Sequence, residues 1–531
     1  MAPIFLALAL ASDLWSPHSL ADTSSSISPE DRQAIQTVAR SVDASFNSDW
    51  QARDLLPTGR ADALTIARRL SLALTGSIPS LQDIRAIEAQ PSEDQRDWWL
   101  EHLLADRRSA DYLAERLTRV YVGTEVGQLL TYRRTRLVSW LSDALHENRP
   151  YDRIAHDLIA AEGIWTTNPA VNFLSVTMQG KKGPDEAKMA ARVSRAFLGT
   201  QMDCVQCHDG KLGSPWKQED FHELAAFFGQ SAFNLTGLRD TPKQKYRFRY
   251  LNAKDEEVIP VSVPWKPELL PAKGPIRERL AKWVTAPDNR PFARAMVNRM
   301  WALMFNRPLV LPVDEIPLEG PFPPGMEILA DDFIAHGYDL QRLIRTIANT
   351  AAFQMRSDSA HPGLPASAEA EAHWAVFPLT RLRPDQMAGS VTQAASLSTL
   401  DAETNVLLRL KRGADVRNFV KRYGDVGEDS FEDGSSTIPQ RLLLMNGRMI
   451  ANHTEANPIF SAAGRIALLS PDNAAAVETA YLAVLTRRPT PDEAAHFAGK
   501  LEDVRSVRNR GRAISDLYWT LMNCTEFSWN H

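Results

Sequence analysis

Residues 64–76, Leu64-Thr65-Ile66-Ala67-Arg68-Arg69-Leu70-Ser71-Leu72-Ala73-Leu74-Thr75-Gly76, place apolar side chains at Leu64, Ala67, Leu70, Ala73 and Leu74. Steps of three and four residues put these on one face of a helix, and Gly76 suits the left-handed turn that ends one. Ser80 can cap the next helix, with Asp83 three residues on as a shortened capping box. The same period returns at Tyr112 to Val122 and at Arg136 to Glu147, the latter closed by Pro150. The reading is therefore a mainly α protein.

Outward from this stretch the pattern changes once. Tyr246, Phe248 and Tyr250 alternate with Arg247 and Arg249, the period of a strand, and polar Asn252 to Glu257 turns the chain into Val258-Ile259. Pro260, Pro264, Pro267, Pro271 and Pro275 follow and argue against regular structure. Helical periodicity resumes with Phe292, Met296, Met300 and Leu303 on one stripe and Val297, Trp301 and Met304 beside it. Met326, Leu329, Ala330, Phe333 and Ile334 form another, and Asp339 caps a helix buried through Leu340, Leu343, Ile344 and Ile347. Thr490-Pro491-Asp492-Glu493 opens a late helix, and acidic Asp425 to Ser436 reads as a loop.

At 531 residues the chain exceeds one ordinary core. The expected division is a signal peptide at 1–21, a lead-in tail at 22–59, a helical domain at 60–233, a β-hairpin and proline-rich connection at 234–276, and a second helical domain at 277–530. Pro3 to Ala11 is apolar and Ser19 and Ala21 suit cleavage before Asp22, which predicts export to the periplasm or cell envelope. No later segment is apolar enough to span a bilayer, so no transmembrane segment is expected in the mature chain. A net charge of -5 makes nucleic acid a poor partner.

Chemistry concentrates in one place. The chain has 3 cysteines, and Cys204-Val205-Gln206-Cys207-His208 uses two of them with an adjacent histidine. Cys-x-x-Cys-His is the attachment signature of c-type haem, because two thiols meet the two vinyl groups while the histidine reaches iron. Cys204 and Cys207 are then thioether residues of a covalent haem c, and His208 is the proximal iron ligand. Met202 and His222 are candidates for the distal ligand, against a bland reading of each as an ordinary buried side chain. Two alternatives stay open, a Cys204–Cys207 disulfide in an interaction or scaffold protein, and a structural zinc site completed by a residue such as His222. Trp216 and Phe227-Phe228 suit either a haem pocket or a core. Asp209, Asp220, Asp331-Asp332 and Glu256-Glu257 read as solvated carboxylates, and Arg381-Leu382-Arg383-Pro384 as an exposed approach to a helix, with both arginines available to an acidic partner. No nucleophile–base pair or phosphate-binding glycine loop is visible, so the sequence leaves catalysis undecided.

Several segments together resemble a planctomycete family of cytochrome-like exported proteins built from paired domains of unknown function. They include Arg68 to Gly76, Asn148-Arg149-Pro150-Tyr151-Asp152, Phe197-Leu198-Gly199 leading into Cys204 to His208, Pro215-Trp216, and Leu224 to Phe228. Asn289 to Trp301, His336 to Leu340, Arg381 to Gln386, Leu443 to Asn446 and Leu485 to Thr490 continue the resemblance to the end. It implies export and a cytochrome-like role; the partner expected for such a role is an unidentified redox or envelope protein. The resemblance departs at Asp209-Gly210-Lys211-Leu212, where many relatives carry a His-Pro pair.

Overall fold

The computed structural model describes residues 27–124, 130–178, 183–210, 215–250, 253–358, 366–400, 418–423, 431, 438–455, 457, 461–502, 504 and 506–531. The expected signal peptide and almost all of the acidic segment 425–436 lie outside the described residues. The fold is mainly α, with three short two-stranded ladders among the described residues. No described helix is long and apolar enough to cross a membrane.

The first helix among the described residues is α1 (Pro29–Ala52), where the sequence predicts a tail. Ser28 caps it, Pro29 takes the first helical position, and Ile35, Ala39, Val42, Phe46 and Trp50 recur at steps of four and three to make its buried face. The quoted stretch is α2 (Ala63–Thr75), ended by left-handed Gly76 at φ 67°. α3 (Leu81–Glu88) begins with the Ser80–Asp83 capping box. There follow α4 (Gln95–Ala105), α5 (Arg107–Val122), α6 (Arg134–His146), α7 (Tyr151–Ala160) and α8 (Glu186–Leu198). α6 ends at His146, with Asn148 left-handed at φ 49° just beyond it, and Pro150 is the N-cap of α7.

Past α9 (Gln218–Ala225) come two hairpins. β1 (Ser231–Asn234) pairs antiparallel with β2 (Gly237–Asp240), a hairpin the sequence reading did not foresee. β3 (Arg247–Phe248) pairs with β4 (Glu257–Val258), the expected hairpin, two residues deep. α10 (Ile276–Val284), α11 (Arg290–Phe305), α12 (Met326–Ala335) and α13 (Leu340–Asn349) follow, then α14 (Pro384–Ala394), α15 (Ala462–Leu469), α16 (Asn473–Leu485), α17 (Pro491–Glu502) and α18 (Val507–Asn523).

The connection at 234–276 divides the chain but not its packing. α11 is buried on every side from Phe292 to Phe305 and packs against α2 and α8 as well as α12 and α13. One apolar cluster therefore runs from Val42 through the helices up to Phe228 and on through Leu280 to Phe377. A second cluster is built from residues 382–527, and Leu72, Ile78, Leu81 and Ile84 reach into it from α2 and the α3 region. α2 is thus shared, with Ile66, Leu70 and Leu74 in the first core and Leu72 in the second.

Burial on both faces takes Arg68 and Arg69 inside. Arg69 donates from Nε to the carbonyl of His531 at 2.7 Å, and from Nη1 to the carbonyls of Phe353 and Met355 at 2.9 and 2.7 Å. Arg68 donates to the carbonyl of Phe527 at 3.1 Å. These bonds replace the water that a buried guanidinium loses.

Two further readings are corrected. Asp332 is not solvated: it is buried and accepts from Arg342 Nε and Nη2 at 3.0 and 2.8 Å. Arg383 is not a surface group either. Its Nη2 donates to the Tyr112 hydroxyl at 2.7 Å, beside Asp385 and Arg116, and Arg381 donates to the Tyr423 hydroxyl at 3.0 Å.

Candidate functional site

The Cys-x-x-Cys-His segment follows α8, whose last turn is stopped by Gly199 in the left-handed conformation at φ 59°. Met202 is fully buried in the first core, and residues Asp203–Gln206 form one 3-10 turn pinned inward by Val205. Because that turn anchors through Val205, the residues flanking it point outward: Cys204, Cys207 and His208 are all exposed. Both cysteines are free thiols.

The turn is held from beneath by the start of α9. Gln218 donates from its backbone N–H to Asp209 Oδ1 at 2.9 Å and from its side-chain amide to the carbonyl of Gln206 at 3.0 Å. Gly210 N–H donates to the carbonyl of Trp216 at 2.9 Å. Asp220, expected to be solvated, accepts from Lys217 N–H at 2.8 Å and so closes the first turn of α9. Asp209 has the same kind of role, spanning the exposed loop to the helix.

The two histidines near the segment donate through opposite ring nitrogens. A carbonyl oxygen only accepts, so the His208 Nδ1 that lies 2.7 Å from the Asp209 carbonyl is the protonated nitrogen. His208 Nε2 makes no hydrogen bond among the described residues. At His222, Nε2 lies 3.0 Å from the Gln206 carbonyl and is the donor, while Nδ1 accepts from the Tyr246 hydroxyl at 2.9 Å. Burial lowers the His222 pKa, with the Gln206 carbonyl pulling weakly the other way, so the neutral form prevails.

These positions bear directly on a covalent haem. The donor set fits: two exposed thiols on one turn, and an exposed imidazole whose free nitrogen is Nε2 and whose other nitrogen is fixed by a backbone carbonyl, the arrangement that orients a metal-binding histidine. The two distal candidates are placed differently. Met202 is sealed in the core, and His222 is buried with both nitrogens engaged, so either would have to leave its present partners to reach a metal. The same engagement stands against His222 as a zinc ligand. Among the described residues no three His, Cys, Asp or Glu side chains are grouped to hold a metal ion.

The sequence reading missed why His222 is where it is. Phe248 stacks on it with ring centroids 3.5 Å apart, and Tyr250 meets it edge-on at 5.9 Å. The period-two aromatics of residues 246–250 were the available signal, since alternation puts all three rings on one face. Phe227 and Phe228 are core residues, and Trp216 is half-buried against Trp265 at 5.3 Å.

Fold and site together define a mainly helical protein that displays a Cys-x-x-Cys-His turn in its first half, with one apolar cluster running on into the second. Residues 41–248 match the model of a family described as protein of unknown function DUF1549, and residues 276–406 match that of a second, DUF1553. The chain carries this pair of domains of unknown function, and the interval between them falls on the hairpin and proline-rich connection. Neither a curated protein nor a solved structure matches it.

Proposed function

We propose that this chain is an exported c-type haem-binding protein with an electron-transfer or other redox role in the cell envelope. The observation that carries the reading is the exposure of both thiols beside His208, whose Nε2 is left unbonded while Nδ1 is held by Asp209. Cys204 and Cys207 would form the thioethers and His208 would be the proximal ligand. The haem, when bound, supplies a one-electron redox centre whose potential responds to axial ligation, hydrogen bonding and exposure. The chain's own part is to present the three side chains on a turn that Gln218 and His222 keep in place.

The test is expression of the full-length chain in a host with working cytochrome c maturation, followed by haem staining after denaturing electrophoresis and mass analysis of the peptide spanning Cys204 to His208. One haem mass on that peptide is expected, with loss of normal axial ligation in His208→Ala. Export is read from the same sample as cleavage before Asp22. A peptide without haem and lighter by about two hydrogens would overturn the proposal in favour of a Cys204–Cys207 disulfide in an exported interaction protein.

A further inference from the structure

Arg299 is buried on α11 without an ion pair or hydrogen bond among the described residues, and Asp314 acts on its charge only from beyond ion-pairing distance. It is 2% exposed, its Nε is buried without a hydrogen-bond partner, and no carboxylate lies within ion-pairing distance among the described residues. Several other buried arginines are compensated: Arg277 by Asp240 at 2.7 Å and the Ala161 carbonyl at 2.6 Å, Arg342 by Asp332, Arg345 by Glu101 at 2.8 Å, and Arg69 by three carbonyls. An isolated buried charge costs several kcal/mol unless something pairs with it.

Arg299 faces a cavity of about 500 Å³ between α5, α8, α11 and residues 311–314, within the size range of small-molecule sites. The cavity reaches the surface at exposed Lys188, and Arg119, Arg192 and Arg195 also line it. Its two described carboxylates are engaged at the rim: Arg195 lies 3.1 Å from Asp203, and Asp314 accepts from Gln201 at 2.7 Å. The nearby phenols do not supply the missing charge. Burial pushes Tyr121 up to about 12 and Tyr151 higher still, so both are neutral hydroxyls.

We propose that this cavity binds a small organic anion through carboxylate or phosphate oxygens, with Arg299 as the buried anchor and Arg195 at the rim. Guanidinium groups suit such oxygens because they offer planar, paired donors. The cavity stands apart from the exposed thiols, and the inference does not rest on haem attachment. It touches the same segment through Asp203, the residue before Cys204, so an anion that draws on Arg195 would be felt by the turn.

Thermal unfolding of the full chain, titrated with inorganic phosphate or citrate against sodium chloride at constant ionic strength, tests this. A saturable rise in Tm is expected with at least one, and which one distinguishes phosphate from carboxylate recognition. Arg299→Met should unfold at an equal or higher temperature in chloride and lose the saturable rise, because it removes a charge that is uncompensated without ligand. Arg195→Gln should weaken the apparent Kd about tenfold. No saturable rise with either anion, or an unchanged response in Arg299→Met, overturns the site. If Arg299→Met fails to fold, an unchanged Kd in Arg195→Gln overturns it.

Discussion

The backbone carbonyl of Gln206, between the two cysteines, accepts a hydrogen bond from Nε2 of buried His222 at 3.0 Å. A fixed internal side chain thereby sets the position of an exposed reactive turn. His222→Phe keeps the aromatic stack and removes the bond, so amide exchange at Val205 and Gly210 should quicken about tenfold, with about 1–3 kcal/mol of stability lost. Unchanged exchange at both amides would show that Gln218 and Val205 hold the turn alone.

The same histidine gives the turn a pH dependence. Its folded pKa is depressed, so the unfolded chain takes up the proton first as pH falls. The stabilisation is complete above the unfolded value of about 6.5 and is lost as pH drops from there through the folded pKa. Amide exchange followed from about pH 7.5 to about pH 5 should show the turn loosening in the native chain, and the slope should flatten in His222→Phe.

Asp385 accepts from the Tyr112 hydroxyl at 2.8 Å and from Arg116 at 3.3 Å, with Arg383 bonded to the same hydroxyl. Burial alone would raise its pKa, but Arg116, Arg383 and Tyr112 outweigh that and hold the carboxyl at about 2. Its stabilisation is therefore present above the ordinary carboxyl range near pH 4 and disappears as pH falls through about 2. Asp385→Asn should cost about 2–3 kcal/mol at about pH 7 in chemical denaturation and much less at about pH 2.5. Arg383→Ala should destabilise as well, an outcome foreign to a residue that serves only to bind a partner.

Arg342 and Asp332 form a buried two-point pair joining α12 to α13. Asp332→Ala strands the guanidinium and should cost about 3–5 kcal/mol by urea denaturation, whereas the double variant Asp332→Leu/Arg342→Met should recover most of it. A single-variant loss below about 1 kcal/mol would mean that water reaches the site.

Gly389 on α14 lies against the end of α2, where an added Cβ would sit 2.3 Å from the Gly76 carbonyl oxygen. Gly389→Ala should force the two helices apart and lower stability by about 1–3 kcal/mol, although alanine favours helix. A gain in Tm instead would show that the contact between the two cores yields.

Local sequence determined a good deal of this protein. The apolar period of α2, the stop at Gly76, the Ser80–Asp83 box, the cap at Asp339 and the stripe of α11 were all legible, because helix faces and caps depend on residues three or four apart. So was the Cys204 to His208 segment, whose chemistry is written in adjacent residues. The helix α1 was legible too through Ile35, Ala39, Val42, Phe46 and Trp50, but its polar start masked it.

Only the tertiary structure decided what those helices bury on their other faces. Arg68 and Arg69 look like the polar face of α2 until residues 353, 355, 527 and 531 close over them and supply carbonyls. Asp332 and Arg383 changed in the same way, since whether a charge can be buried depends on a partner that sequence spacing does not reveal. The apolar cluster spanning the hairpin connection, and Arg299 buried inside it without an ion pair among the described residues, follow from α11 packing against α2 and α8, elements far from it along the chain.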